Sequence, residues 1–421
     1  MMQSRQTMLT ALALAVTASV APGQHKQQLA TQETETFGIT DLPTNQRARL
    51  GRVSVRKLRR EGFTKCAAVH KRAEGAIWIV AQDGVRNIAV ARARNLLEFY
   101  LKPLPNAAAS EVARKQQVIT KMIANGAMLM MPTGAHEEGQ EPRIEAQPLF
   151  EAETPVDGSR WYIENDWEHR DAAFEEIFHL VHDTGIGTYL PGAMPTYQAA
   201  LDKEARSAIA DGRWGNDERD TQNWLRKLEE EDSLAQEYIA SVIDTYYGLW
   251  GSFREEPGGM WGIYCAKNRQ EQARLDPRGQ QLLKQFLPPF LHGYQSLLDP
   301  NFDGQFLMTF DKRHPYTHKS RYLVEVRLTG GRSSGITGNA QDNVLTGNSG
   351  DNHLQGESGK DTVCFVGDRS EYEVIARNKD VVVKDLVADR DGTDSLQNVE
   401  VLRFADGDVF VENALKQQRK R

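Results

Sequence analysis

Apolar positions recur along this chain in two rhythms, and the change from one to the other is its plainest feature. Up to about residue 300, short apolar runs alternate with stretches of helical period. Ala76–Ala81 (AIWIVA) predicts a buried strand, because a continuous apolar run bounded by turn residues fits a strand covered on both faces. Val85–Leu101 predicts a helix with Val85, Ile88, Ala89, Leu96 and Phe99 on its inner side and arginines outside. Ser110 is placed to cap a second helix that Gly126 ends, and Ala127–Met131 predicts another short strand stopped by Pro132. Trp161–Ile163 is expected as an edge strand. Helices are expected at Phe174–Asp183, closing near Gly185 with Asp166 or Asp171 as cap, and at Pro195–Asp211. Others should run from Ser233, with a Ser-x-x-Gln box to Gln236, to Tyr247, and over Gln280–Leu298 with an interruption at Pro288-Pro289.

After Leu328 the rhythm becomes nine residues long. Gly338–Thr346, Gly347–Gln355 and Gly356–Cys364 repeat a Gly-rich turn followed by an acidic or amide residue and a single apolar one, Leu345, Leu354 and Val363. A turn that offers carboxylate and backbone oxygens, repeated in register, suits calcium, which takes six to eight hard oxygen ligands. These units resemble hemolysin-type (RTX) calcium-binding repeats, and Tyr372–Phe410 resembles the β-sandwich segment that follows such repeats. The resemblance implies a parallel β-roll with calcium held around Asp342, Asp351, Asn352 and Asp361. Asn343 and Asn352 stand where the pattern prefers Asp, and Glu357 replaces a Gly.

Composition narrows the class. The 421 residues suffice for two or three domains, and 40% hydrophobic with 26% charged residues is an ordinary globular balance. A formal charge of −7 argues against nucleic acid as a partner, since phosphates call for basic surfaces. Gly335–Glu412 carries 16 Asp/Glu against 7 Lys/Arg, which suits cations, whereas Arg47–Arg60 is a basic run best read as a solvated or prosegment-like surface. Arg5 followed by the 13-residue apolar Met8–Val20 reads as a secretory signal over 1–23, too short to span a bilayer. Gln24–Asn45 reads as a mobile linker. Three cysteines, Cys66, Cys265 and Cys364, exclude a disulfide framework.

The chemistry concentrates in Phe174–Asp183 (FEEIFHLVHD). At 100° per residue Glu175, His179 and His182 share a helix face, and the intervening Ile177, Phe178, Leu180 and Val181 bury it. Buried carboxylates and imidazoles are costly unless paired or bound to a metal. Glu175-Glu176-x-x-His179 has the H-E-x-x-H spacing with Glu at the first ligand position. Transferred to this chain, that motif makes Glu175 and His179 ligands and Glu176 the general base. Carboxylate at the first position also admits Mn or Fe beside Zn. The third ligand is Glu237, from the later helix with Asp244 behind it, or secondarily His182. Three side chains of one straight helix seldom converge on an ion.

The section Gly75–Gly304 is similar to a family of secreted zincin-like proteins of undefined activity, which share the Glu-Glu-Ile-Phe-His-Leu helix and a later Glu-Tyr helix, here Glu237-Tyr238. The resemblance implies an α+β zincin-like domain over 51–330, followed by an all-β domain over 335–412 and a basic tail. The expectation is an exported Zn-dependent hydrolase, metallopeptidase-like, acting on peptide or protein, with a calcium-stabilised C-terminal domain. Two other readings stand beside it. One is a calcium-dependent surface-binding or adhesion protein whose Glu/His helix is only structural; the other is a metal-bearing pseudoenzyme. The one G-x-S-x-G match, Gly331–Gly335, lacks a preceding strand and following helix and reads as a flexible joint.

Overall fold

The structure is a computed structural model that describes residues 35–137, 139, 141–164, 171–188 and 190–418. The signal segment and Asp166 therefore lie outside the described residues. The chain is mixed α/β, with an N-terminal α+β region and a C-terminal strand-rich region. It divides into two units, one of residues up to 154 with 167–287, the other of 155–166 with 288–421.

The first unit is built on a five-stranded sheet of order β1 (Thr40–Asp41), β2 (Phe63–Arg72), β3 (Gly75–Gln82), β4 (Met128–Met131) and β5 (Gln147–Pro148). The expected strand at Ala76–Ala81 is β3, and Ile77, Ile79, Val80 and Ala81 are wholly buried within it. β3 and β4 pair in parallel, as do β4 and β5, with Leu129 opposite Gln147. The helix α1 (Val55–Arg60) presents its arginines outward and buries Val55 and Leu58. Between β3 and β4 run α2 (Asn87–Leu101) and α3 (Ala109–Asn125), the latter ended by Gly126 in the left-handed conformation. Its cap position is Ala108 rather than Ser110. The rest is helical: α4 (Ala173–Val181), α5 (Pro195–Ala210), α6 (Arg219–Glu230), α7 (Leu234–Tyr246), α8 (Arg269–Leu275) and α9 (Pro277–Lys284). Ser233 caps α7 by position only, its hydroxyl donating to Leu228 O at 3.3 Å.

Other expectations give way here. Ile39 and Leu42 are buried on either side of β1, so the linker ends before residue 39. Trp161–Ile163, expected as an edge strand, lies within a helix, Arg160–Glu164. The apolar stretch Gln280–Leu298 is not one helix: α9 stops at Lys284, and Gln295–Leu297 is a strand. Pro288 and Pro289 explain the break, since neither can donate a backbone hydrogen bond.

In the second unit, strands alternate between two six-stranded sheets. β6 (Gln295–Leu297), β8 (Glu325–Arg327), β10 (Val344–Thr346), β12 (Thr362–Cys364) and β16 (Val401–Phe404) pair in parallel in one sheet. β7 (Gln305–Leu307), β9 (Gly335–Thr337), β11 (His353–Gln355) and β15 (Thr393–Gln397) do so in the other. Antiparallel β13 (Tyr372–Arg377) and β14 (Asp380–Asp385) extend the second sheet, and β17 (Gly407–Phe410) the first. The nine-residue period is the step from one sheet to the other. Leu345 and Val363 fall in register in one sheet with Val326 and Leu402, and Leu354 in the other with Ile336 and Leu396. Each of these residues is at most 1% exposed. The strands begin at Gln295, before the boundary at 330–335 expected from the repeat, and the supposed joint Gly331–Gly335 leads directly into β9.

Candidate metal centre

α4 carries the site, and its start is fixed from within the first unit. Asp171 accepts two hydrogen bonds from Arg92 of α2, at 3.1 and 2.7 Å, and a third from the backbone N–H of Ala173. Tyr100, also of α2, donates its hydroxyl to Phe174 O at 2.8 Å. Every residue from Ala173 to Val181 is buried, the polar side chains included. Beyond Val181 the backbone widens into a π-helical turn, His182–Gly187. Such turns often mark functional sites.

Within this setting Glu175, Glu176 and His179 each bring a ligand atom within 4.8 Å of the others. The three are 1%, 7% and 1% exposed. On the helix, His179 lies at an angle between Glu175 and Glu176, which is why one helix brings all three together. Glu237 arrives from α7, buried like the others. His179 stands between two carboxylates, Nδ1 at 3.5 Å from Glu176 Oε2 and Nε2 at 3.7 Å from Glu237 Oε1. Both distances exceed a good N–H···O hydrogen bond, and Nε2 has no hydrogen-bond partner although it is buried. Burial alone would lower the pKa of His179; Glu237, Glu176 and Glu175 outweigh it and push it up to about 10. Even with that proton, three carboxylates outnumber one imidazole.

Gln147, the first residue of β5, donates from Nε2 to Glu176 Oε2 at 2.7 Å. No sequence pattern marked it, because β5 is two residues long and emerges from an irregular acidic stretch. His182 does not join the group. Its Nε2 bonds Oε1 of Gln198 on α5 at 2.5 Å, and burial pushes its pKa down to about 4, so it is a neutral neighbour. Asp244 is buried on the face of α7 that Glu237 occupies, two turns on. Glu175, Glu176 and His179, which span little more than one turn, are the donors that meet, and Glu237 lies 3.7 Å from the Nε2 of that imidazole.

The donors fit a divalent cation. One buried imidazole amid an excess of buried carboxylates is the chemistry a metal ion neutralises.

In the strand-rich unit the residues singled out for calcium make turn-to-turn hydrogen bonds. Asp342 Oδ1 accepts from Lys360 N and Asp351 Oδ1 from Thr393 N, both at 2.8 Å. Asn352 Oδ1 accepts from Asn348 N within its own turn, and Asn343 Oδ1 likewise from Asn339 N. Asp361 Oδ1 accepts from Asn343 N in the preceding coil, and Asp394, which the sequence reading passed over, accepts from Asn352 N. A Cβ on Gly347 would lie 2.5 Å from Asn352 Oδ1, and one on Gly356 2.5 Å from Asp361 Oδ2, which is why glycine opens these turns. Asp361 Oδ2 is buried without a hydrogen-bond partner. Burial is the main cause that raises the Asp361 pKa to about 6, with Glu400, Asp342 and Glu357 adding to it against the Asn343 hydrogen bond.

No protein-family model matches the chain, and a comparison with curated proteins found no match. Among the described residues no helix is long and apolar enough to cross a membrane.

Proposed function

We propose that the chain is an exported, metal-dependent hydrolase of the metallopeptidase kind. The observation that carries this reading is the buried Glu175–Glu176–His179 group, which could hold a metal ion. Glu175 and His179 keep the four-residue spacing of the H-E-x-x-H motif, with Glu237 within reach of the same imidazole. A divalent cation at these donors, zinc or a harder ion, would supply Lewis acidity toward a carbonyl and a neighbouring water. The chain's own part is to hold the imidazole between Glu176 and Glu237, to exclude bulk water by burying α4, and to offer a carboxylate as proton acceptor. The leader-like Met8–Val20 supports export.

The strand-rich unit is read as calcium-stabilised. Its period-nine turns and the unpartnered buried oxygen of Asp361 support this, with Asp342, Asp351 and Asn352 in the equivalent turns.

A second reading has its own observation. The Glu/His group is at most 7% exposed, which suits a structural core in a calcium-dependent binding protein better than an open catalytic cleft. One experiment separates the two. The full chain is purified, its bound transition metal is counted, and a broad peptide library is offered before and after chelation. Turnover that chelation removes and added metal restores supports the hydrolase. A metal-free chain whose melting is indifferent to transition metals overturns it.

A further inference from the structure

We propose that Glu176 is a ligand of the cation, and that Glu237 orients His179 from the opposite side of the ring. This inference rests on the metal-site reading and divides the donors differently from the H-E-x-x-H pattern, in which the residue after the first ligand is the base. Three observations support the division. Glu175, Glu176 and His179 are mutually within 4.8 Å, a group that does not include Glu237. Glu176 Oε2 lies on the Nδ1 side of the imidazole and Glu237 Oε1 on the Nε2 side. The two nitrogens of one ring point apart, so an ion seated on one leaves the other to carry hydrogen and find an acceptor. A cation on Nδ1 would lie on the side of Glu176, while Nε2–H is left facing Glu237, as metal-bound histidines commonly face an outer carboxylate. Gln147 then serves as the outer partner of a ligating carboxylate, its amide holding Glu176 Oε2 at 2.7 Å.

The consequence is a set of two carboxylates and one imidazole from a single helix. Such an oxygen-rich set suits a hard divalent cation of the Mn2+ or Fe2+ class better than sites built on two histidines.

The test is metal binding by the full chain, with Mn2+ and Zn2+ titrated calorimetrically into chelator-stripped protein and folding followed by circular dichroism. Glu176→Gln is expected to weaken binding at least about 100-fold, like Glu175→Gln, and Glu237→Gln about 10- to 100-fold, as loss of an outer partner does. Wild-type affinity in Glu176→Gln, with binding abolished in Glu237→Gln, overturns the division. If Glu176→Gln does not fold, Glu176→Asp keeps the charge and withdraws the carboxylate by one methylene. A tenfold loss there supports the proposal and an unchanged affinity overturns it. Histidine 13C shifts of the zinc-loaded chain report which ring nitrogen is coordinated: Nδ1 at His179 is expected, and Nε2 overturns it. A wild-type chain that binds neither ion defeats the metal-site reading itself, not the division of its donors.

Discussion

Arg92 and Asp171 form a two-pronged ion pair, 1% and 4% exposed, that ties α2 to the residue just before the site helix. Removing one partner of a buried pair strands the other charge, at a cost of about 3–5 kcal/mol. Asp171→Ala also takes away the acceptor for Ala173 N–H. This variant is expected to melt well below the wild type, whereas the double variant Arg92→Met/Asp171→Leu should recover much of the loss. A double-mutant cycle of denaturant melts checks it, and an Asp171→Ala chain as stable as wild type would show that the pair contributes little.

Glu175→His completes the His-Glu-x-x-His spacing on α4. Replacing a hard carboxylate by imidazole should raise the preference for zinc over manganese by about tenfold or more. Competition against a chromophoric chelator measures this ratio directly. An unchanged ratio would mean that Glu175 does not face the ion.

Asn343 and Asn352 each close a turn by accepting from the backbone four residues earlier and donating back to the side chain there, Asn339 and Asn348 respectively. Asn352→Ala leaves the buried N–H of Asn348 without its acceptor, which costs about 1–3 kcal/mol. The full chain should therefore lose thermal stability in calcium-free buffer. Asn352→Asp, which retains the accepting oxygen, should lose less. Equal melting of wild type and Asn352→Ala would rule out this bonding as a support of the turns.

Much of this was legible in the sequence, for reasons that differ by residue. Leu345, Leu354 and Val363 declared themselves because the period of nine is also the step between the sheets. Glu175 and His179 did so because helical spacing fixes which side chains share a face. Gln147 left no trace: a two-residue strand has no period, and its contact with Glu176 spans 29 positions. Trp161–Ile163 and Gln280–Leu298 were misread because local apolarity does not say what an element packs on. Residues 155–166 group with 288–421, and Asp157 there accepts from Tyr294 and Ser296, partners far along the chain.

The last prediction concerns acidity in the strand-rich unit. Asp361 has a pKa of about 6 in the folded chain, raised chiefly by burial, against about 4 for an aspartate in an unfolded one. A folded-state value above the unfolded one means that the native chain binds the proton more readily between those limits. The contribution of Asp361 to stability is therefore fully present below about pH 4 and is lost as pH rises through 6. A calcium ion at the free carboxylate oxygen would oppose that loss, since it binds the ionised form. In chelator, thermal melts of the full chain should show a fall in stability between pH 4 and 6 that Asp361→Asn flattens, because the amide keeps the acceptor for Asn343 N and never ionises. Added calcium should raise the wild-type melting temperature more at pH 7 than at pH 5, and should raise that of Asp361→Asn less. If Asp361→Asn follows the wild type across the whole range, Asp361 is not the titrating group. A calcium response equal in both chains would place the ion elsewhere.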